Sequence, residues 1–192
     1  MRINWAQVLV LLPVVYGGCL LLTVHLQTTT LVRSLSRMLS GNPEHVPFVA
    51  LGLVFLLTYT GSSFVSVVAN AAGTAGGLDN KAPRLGRAHL RGWAHRAVAA
   101  HQNLLEGFPG FAAAVFAAFL RGAPNSYTAS LATLHLLARC VYYPAYVLNL
   151  DQVRTGSYGV SLAASVLLFG FACVPDFESF YLGLVHVAKP WA

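Results

Sequence analysis

Two stretches of this chain carry polar side chains at helical spacing inside apolar surroundings. Arg96, Asn103 and Glu106 follow one another by seven and three residues, which a helix sets on one face. Arg139, Tyr142, Tyr143 and Tyr146 fall at i, i+3, i+4 and i+7, again one face, and Arg154 follows after a short interval. Guanidinium groups pair bidentately with carboxylates, and an asparagine amide both donates and accepts. Glu106 is able to receive an ammonium group or to pair with Arg139 or Arg96. The set suits an anionic, polar ligand with an apolar neighbour; a peptide with carboxylates and one amine would satisfy it.

The elements that must hold these residues follow from composition. The chain has 192 residues, of which only 9% are charged and 56% are hydrophobic, and its mean hydropathy is +0.62. A soluble domain of this size needs charge on roughly a quarter of its residues. Lipid is therefore the solvent for most of this surface. The net charge of +6 raises the question of nucleic acid, but the twelve cations lie scattered between apolar runs and form no nucleic-acid module. Cys19, Cys140 and Cys173 all sit in apolar stretches without metal-ligand spacing, and they read as buried thiols.

Crossing a hydrocarbon core takes roughly 20 helical residues. Plain runs of that kind cover about 6 to 26, 46 to 69, 126 to 148 and 156 to 174. A fifth, 94 to 120, is polar in its first half and must face protein or water there. Turn chemistry separates them: Ser40 to Pro43, Gly122 to Asn125, and Thr155 with Gly156. Pro144 is expected to kink its helix, and Gly17, Gly18 and Gly61 with Ser62 and Ser63 to form helix-packing surfaces. The longest connection, about 71 to 93, is glycine-rich and basic, with Pro83, Lys81, Arg84, Arg87 and Arg91. The four cations of this loop, with Arg2, Arg96 and Arg154, outweigh Arg33, Arg37, Arg121 and Lys189 on the other side, so this loop is expected in the cytoplasm. The first segment reads as a signal anchor or uncleaved helix, with a cleaved signal peptide as the alternative. The tail after Pro175, with Phe177, Phe180, Tyr181 and Trp191, is too short to span and suits the membrane interface.

Depth sharpens the pairing of the two polar faces. With antiparallel spans and a rise of about 1.5 Å per residue, Asn103 and Arg139 both lie about 14 Å below the cytoplasmic ends. The two faces then describe a pocket that opens to the cytoplasm, basic at its mouth and partly aromatic within. Taken singly, each residue also has a structural reading: Asn103 and Glu106 as ties between helices, Arg96 as a snorkelling cation, the tyrosines as an aromatic belt and Arg154 as a loop charge. The histidines His89, His95, His101 and His135 share no metal-ligand spacing, which argues against a metal site. A transporter is disfavoured by the lack of inverted repeats.

The spelling adds a resemblance. RAVAAHQNLLEGFPGF, with Arg96, Asn103, Glu106, Pro109 and Phe111, and ARCVYYPAY, with Ala138, Arg139, Tyr142 and Tyr146, followed by Arg154, resemble the MAPEG family over about residues 46 to 174. These are membrane-associated proteins in eicosanoid and glutathione metabolism. The resemblance implies an all-α integral membrane protein with a four-helix transmembrane bundle, here with an additional N-terminal hydrophobic helix in residues 1–45 and a tail from 175 to 192. It implies a homotrimer binding glutathione as cosubstrate between subunits, without a metal. Asn103, Glu106, Arg139, Tyr142 and Tyr146 fall on glutathione-contacting positions, with Arg96 as a further cation. Four residues before Asn103, where several family enzymes carry an arginine, this chain has Ala99. Arg154, with Tyr146, falls near the position that stabilises the glutathione thiolate. The implied activity is a transferase or peroxidase acting on apolar electrophiles or lipid hydroperoxides; the alternative is a non-catalytic lipid-binding scaffold of the same fold. The membrane would be the endoplasmic reticulum in a eukaryote and the inner membrane in a bacterium.

Overall fold

The computed structural model describes residues 9, 12–74, 76–77, 81–82 and 85–188. Arg2, Pro83, Arg84, Lys189 and Trp191 lie outside the described residues. In chain order the helices are α1 (Leu12–Thr28), α2 (Thr30–Leu39), α3 (Val46–Leu56), α4 (Ser62–Gly73), α5 (Gly92–Leu120), α6 (Asn125–Val147), α7 (Asp151–Cys173) and α8 (Phe177–Ala188). A π-helical turn, Leu57–Gly61, joins α3 to α4 as one span of 28 residues, and a 3-10 turn, Leu85–His89, precedes α5.

Three spans are long and apolar enough to cross a membrane: Val46–Gly73, Gly92–Leu120 and Asp151–Cys173. The pair α1 and α2 makes a fourth if counted as one span, though the two are bent by 68° at their junction. Two expectations change here. The segment whose first half is polar, α5, passes this test, whereas α6 does not reach it. The reason is that α6 turns its polar residues inward. It packs against α7, α3 and α5, and Thr128, Ser130, Thr133, His135 and Arg139 are all buried. Its hydroxyls are satisfied locally: Thr128 donates to Asn125 O, Ser130 to Ser126 O and Thr133 to Ala129 O. Average hydropathy underrates a helix that keeps lipid away from such groups.

The main core lies between these helices and joins Ala50 and Val54 of α3, Phe111 and Val115 of α5, Leu131 and Leu136 of α6, and Leu167 and Leu168 of α7. Val24 of α1 and Tyr181 of α8 complete it. Tyr181 is fully buried, so the tail contributes to the core as well as exposing Phe180. The first helix docks on α7: Cys19 is buried against Gly159, where a Cβ would collide with its sulfur. His25 Nδ1 lies 3.3 Å from Ala188 O, tying α1 to α8. Gly17 and Gly18 have nothing within 4 Å of where a Cβ would stand, so they are not the packing surface; Gly159 is. Cys140 and Cys173 are exposed, so of the three thiols expected to be buried only Cys19 is.

The long connection is pinned at its end. Leu90 is buried with Ala69, Ala94, Ala97 and Val98, and a Cβ on Gly73 would meet its side chain. The last connection is shorter than the sequence suggested. Asn149 adopts a left-handed conformation (φ 63°), and α7 begins at Asp151, whose carboxylate suits a helix N-terminus. Thr155, Gly156 and Arg154 are therefore helical, not connecting residues.

Candidate functional site

The two polar faces meet. Arg139 Nη1 donates to Asn103 Oδ1 at 3.2 Å, which sets the two residues at one level, as the helix-rise count requires. The Arg139 side chain is only 4% exposed. Its guanidinium lies over the rings of Tyr142 at 5.4 Å and Tyr158 at 5.3 Å. Such stacking on aromatic faces suits a desolvated guanidinium. On the α5 side Arg139 rests against Gly107, where an alanine Cβ would stand 2.6 Å from Nη2. Gly107 is thus the gap in α5 through which the cation reaches Asn103.

Around this contact α5, α6 and α7 enclose a cleft of about 270 Å³. Asn103, Glu106, Arg139 and Tyr158 line its polar end, and Phe111, Leu162, Val166 and Phe169 its apolar end. His135 closes the floor. It donates from Nδ1 to Ser161 O at 2.9 Å, lies 3.0 Å from Ser165 Oγ, and stacks flat on Phe111 at 3.7 Å between ring centroids. Three helices are cross-tied there. A second space of about 210 Å³, lined by Asn103, Tyr142, Arg154, Thr155 and Tyr158, shares Asn103 and Tyr158 with the first. Arg154 sits over the Tyr146 ring at 4.8 Å, and Tyr146 packs edge-on against Tyr142.

The remaining candidates take partners other than those the spacing suggested. Glu106 is exposed and accepts a hydrogen bond from Gln102 Nε2 at 3.1 Å, so it pairs with neither Arg139 nor Arg96. Arg96 donates from Nε to Val147 O at 2.9 Å, fastening α5 to the end of α6. Tyr143 leaves the tyrosine face and approaches Ser62 O at 3.5 Å. There it joins a separate polar cluster: Ser62 donates to Thr58 O at 2.8 Å, and Ser62 Oγ is hydrogen-bonded with buried His101 at 2.9 Å, beside the π turn. Two further residues emerge. Tyr158 is one helical turn beyond Arg154, and Gly107 one turn beyond Asn103. Both signals were present in the spacing, but Tyr158 is visible only once α7 is known to start at Asp151. Among the described residues no group of three His, Cys, Asp or Glu side chains is placed to hold a metal ion.

An all-helical bundle with several membrane-crossing helices and a basic, aromatic cleft between three of them defines a multi-pass integral membrane protein. The model of the MAPEG family matches residues 46–174, and the chain belongs to that family. The match begins at the first residue of α3 and ends just beyond α7, leaving α1, α2 and α8 outside it. No curated protein and no solved structure matches the chain.

Proposed function

We propose that the protein is a glutathione-dependent membrane transferase or peroxidase, in which Arg139 and Asn103 bind a glutathione carboxylate and Arg154 activates the thiol. The observation that carries this reading is the pair of cations without acids. Arg139 and Arg154 both turn onto aromatic rings in adjoining spaces and have no carboxylate partner among the described residues. A buried guanidinium without a counter-ion is costly, and an anionic ligand offsets that cost. Asn103 and Tyr158 connect the two spaces, so one extended peptide reaches both cations.

Arg139 holds a carboxylate with the donors Asn103 leaves free. Arg154 stabilises negative charge on the thiol sulfur, lowering its pKa and holding it as the nucleophilic thiolate. Tyr146 fixes the Arg154 guanidinium from below, and Tyr142 supports both tyrosine and arginine partners. The apolar wall of Phe111, Leu162, Val166 and Phe169 provides a place for an apolar electrophile or a lipid hydroperoxide beside the polar end. Membership of a family whose proteins are typically trimeric supports a homotrimer. In such an assembly Glu106 and Gln102, exposed on α5, would face a neighbouring subunit and complete the peptide site.

A non-catalytic, lipid-binding scaffold is the second reading. It is favoured by Ala99 on the α5 face together with the engagement of Arg96 by Val147 O, which leaves that face with fewer free cations.

The test is equilibrium binding of glutathione to detergent-purified protein with the ultraviolet thiolate absorbance read in the same titration. Saturable binding with a thiolate signal, both lost in Asn103→Ala, supports the enzyme. Binding without thiolate, or no binding at millimolar glutathione, overturns it in favour of the scaffold.

A further inference from the structure

At the end of the bundle opposite Arg139 and Arg154 lies a cavity of about 420 Å³ between the end of α1 and α2, which lie outside the segment matched by the family model, and the first turns of α6, which lie within it. Arg33, Ser36 and Arg37 of α2 face it, with Gln27 of α1 and Ser126 and Ser130 of α6. Gln27 is only 3% exposed, and its carboxamide has no hydrogen-bond partner among the described residues. Ser36 is 7% exposed, and its hydroxyl is likewise unpartnered. A buried amide held without a partner costs free energy unless a ligand or water completes it. Arg33 and Arg37 stand one helical turn apart, and their guanidinium groups form neither a hydrogen bond nor an ion pair among the described residues. No acidic side chain lines the cavity; Glu44, next to Pro43, borders a different one.

Two guanidinium groups one turn apart, with an amide and a hydroxyl beneath them, suit the oxygens of a phosphate ester. The position selects the source of that phosphate. The 68° bend after α1 lays α2 across the end of the bundle, where hydrocarbon gives way to headgroups. Leu31 and Met38 of α2 are 66% and 80% exposed, which places apolar side chains beside the arginines as in helices that lie in a membrane interface.

We infer that α1, α2 and the start of α6 form a binding site for the phosphate of an anionic phospholipid, held by Arg33 and Arg37 over Gln27 and Ser36. Two cations against a single phosphodiester charge favour a lipid with net negative charge over a zwitterionic one. The site is independent of the glutathione reading and lies at the other membrane face.

Native mass spectrometry of delipidated full-length protein tests it, with short-chain phosphatidylglycerol, phosphatidylcholine and inorganic phosphate as separate probes. Wild-type protein should retain one phosphatidylglycerol per protomer, and Arg33→Gln/Arg37→Gln should weaken retention by about ten-fold or more. Arg33→Lys/Arg37→Lys, which keeps charge but loses the forked geometry, should fall between them. Arg154→Gln, which removes a cation from the opposite end, should retain lipid as wild type does. Both arginines are exposed, so the variants should keep wild-type helicity and elution volume. Equal retention by the Gln variant and wild type overturns the site. Equal binding of phosphatidylcholine overturns the preference for an anionic lipid, and retention of inorganic phosphate as tight as that of lipid reassigns the cavity to a free anion.

Discussion

Arg139 reaches Asn103 only because Gly107 has no side chain: a Cβ there would stand 2.6 Å from Nη2 and 3.2 Å from Cζ of the guanidinium. The colliding atoms are the far end of a long side chain, so the bundle can absorb a methyl group by displacing Arg139. Gly107→Ala should therefore leave assembly and melting temperature near wild type while lowering glutathione affinity by about ten-fold or more, about 1.4 kcal/mol. Calorimetric titration beside a thermal melt reads both. Unchanged affinity would mean that Arg139 does not hold the ligand from this position.

Arg154 tests the chemistry separately from binding. If its charge lowers the thiol pKa, bound glutathione remains thiolate well below the ordinary range, near 8.5 for a free cysteine thiol. In Arg154→Ala the thiolate absorbance should disappear at neutral pH and return only as pH rises through that ordinary range. Oligomer size should not change, because the Arg154 side chain rests on the Tyr146 ring at the edge of the second space. A thiolate signal at pH 7 in the variant would remove Arg154 from this role.

Tyr158 separates ring from hydroxyl. Its contribution to Arg139 is the ring face at 5.3 Å, and its packing against Tyr142 is likewise ring to ring. Tyr158→Phe should thus bind glutathione within a few-fold of wild type. Tyr158→Leu should lose about 0.5–2 kcal/mol, the worth of a partly desolvated cation on an aromatic face. Equal losses in the two variants would shift the role to the hydroxyl.

The Asn103 to Arg139 contact was legible because both sit in long, regular helices, where spacing fixes the face and rise fixes the depth. The fates of Arg96 and Glu106 were not. Both lie on the expected face, but whether a long side chain bonds a carbonyl such as Val147 O or turns outward to Gln102 depends on tertiary neighbours. The start of α7 was misplaced because Thr155 and Gly156 resemble a turn, whereas the reversal is made by Asn149 in the left-handed region. The π turn at Leu57–Gly61 left no mark beyond two threonines, a tyrosine and a glycine in an apolar run. The reading of α6 as a plain apolar run missed that its polar residues gather on a face turned to protein, which an average over the run conceals. The glycines divide in the same way. Gly17 and Gly18 form a pair that looks like a contact surface and touch nothing, while Gly159 stands alone in sequence and carries the close approach.

That approach provides a test of how the additional helix is held. Cys19 is buried in the groove above Gly159, and the Thr23 hydroxyl, one turn on, donates to Cys19 O at 2.7 Å and also lies 3.5 Å from Val160 O across the interface with α7. Small residues allow membrane helices to pack closely where no hydrophobic force drives them together. Gly159→Ala should push α1 away from α7 and cost about 1–3 kcal/mol, the usual scale of overpacking. Replacing the sulfur as well, in Gly159→Ala with Cys19→Ala, should recover part of that loss, although Cys19 Cβ at 3.0 Å keeps the fit tight. Melting of Gly159→Ala, Cys19→Ala, the double variant and wild type in one detergent gives the coupling between the two positions. A double variant no more stable than Gly159→Ala alone would show that the sulfur is not what the new methyl meets, and would detach α1 from this face of α7.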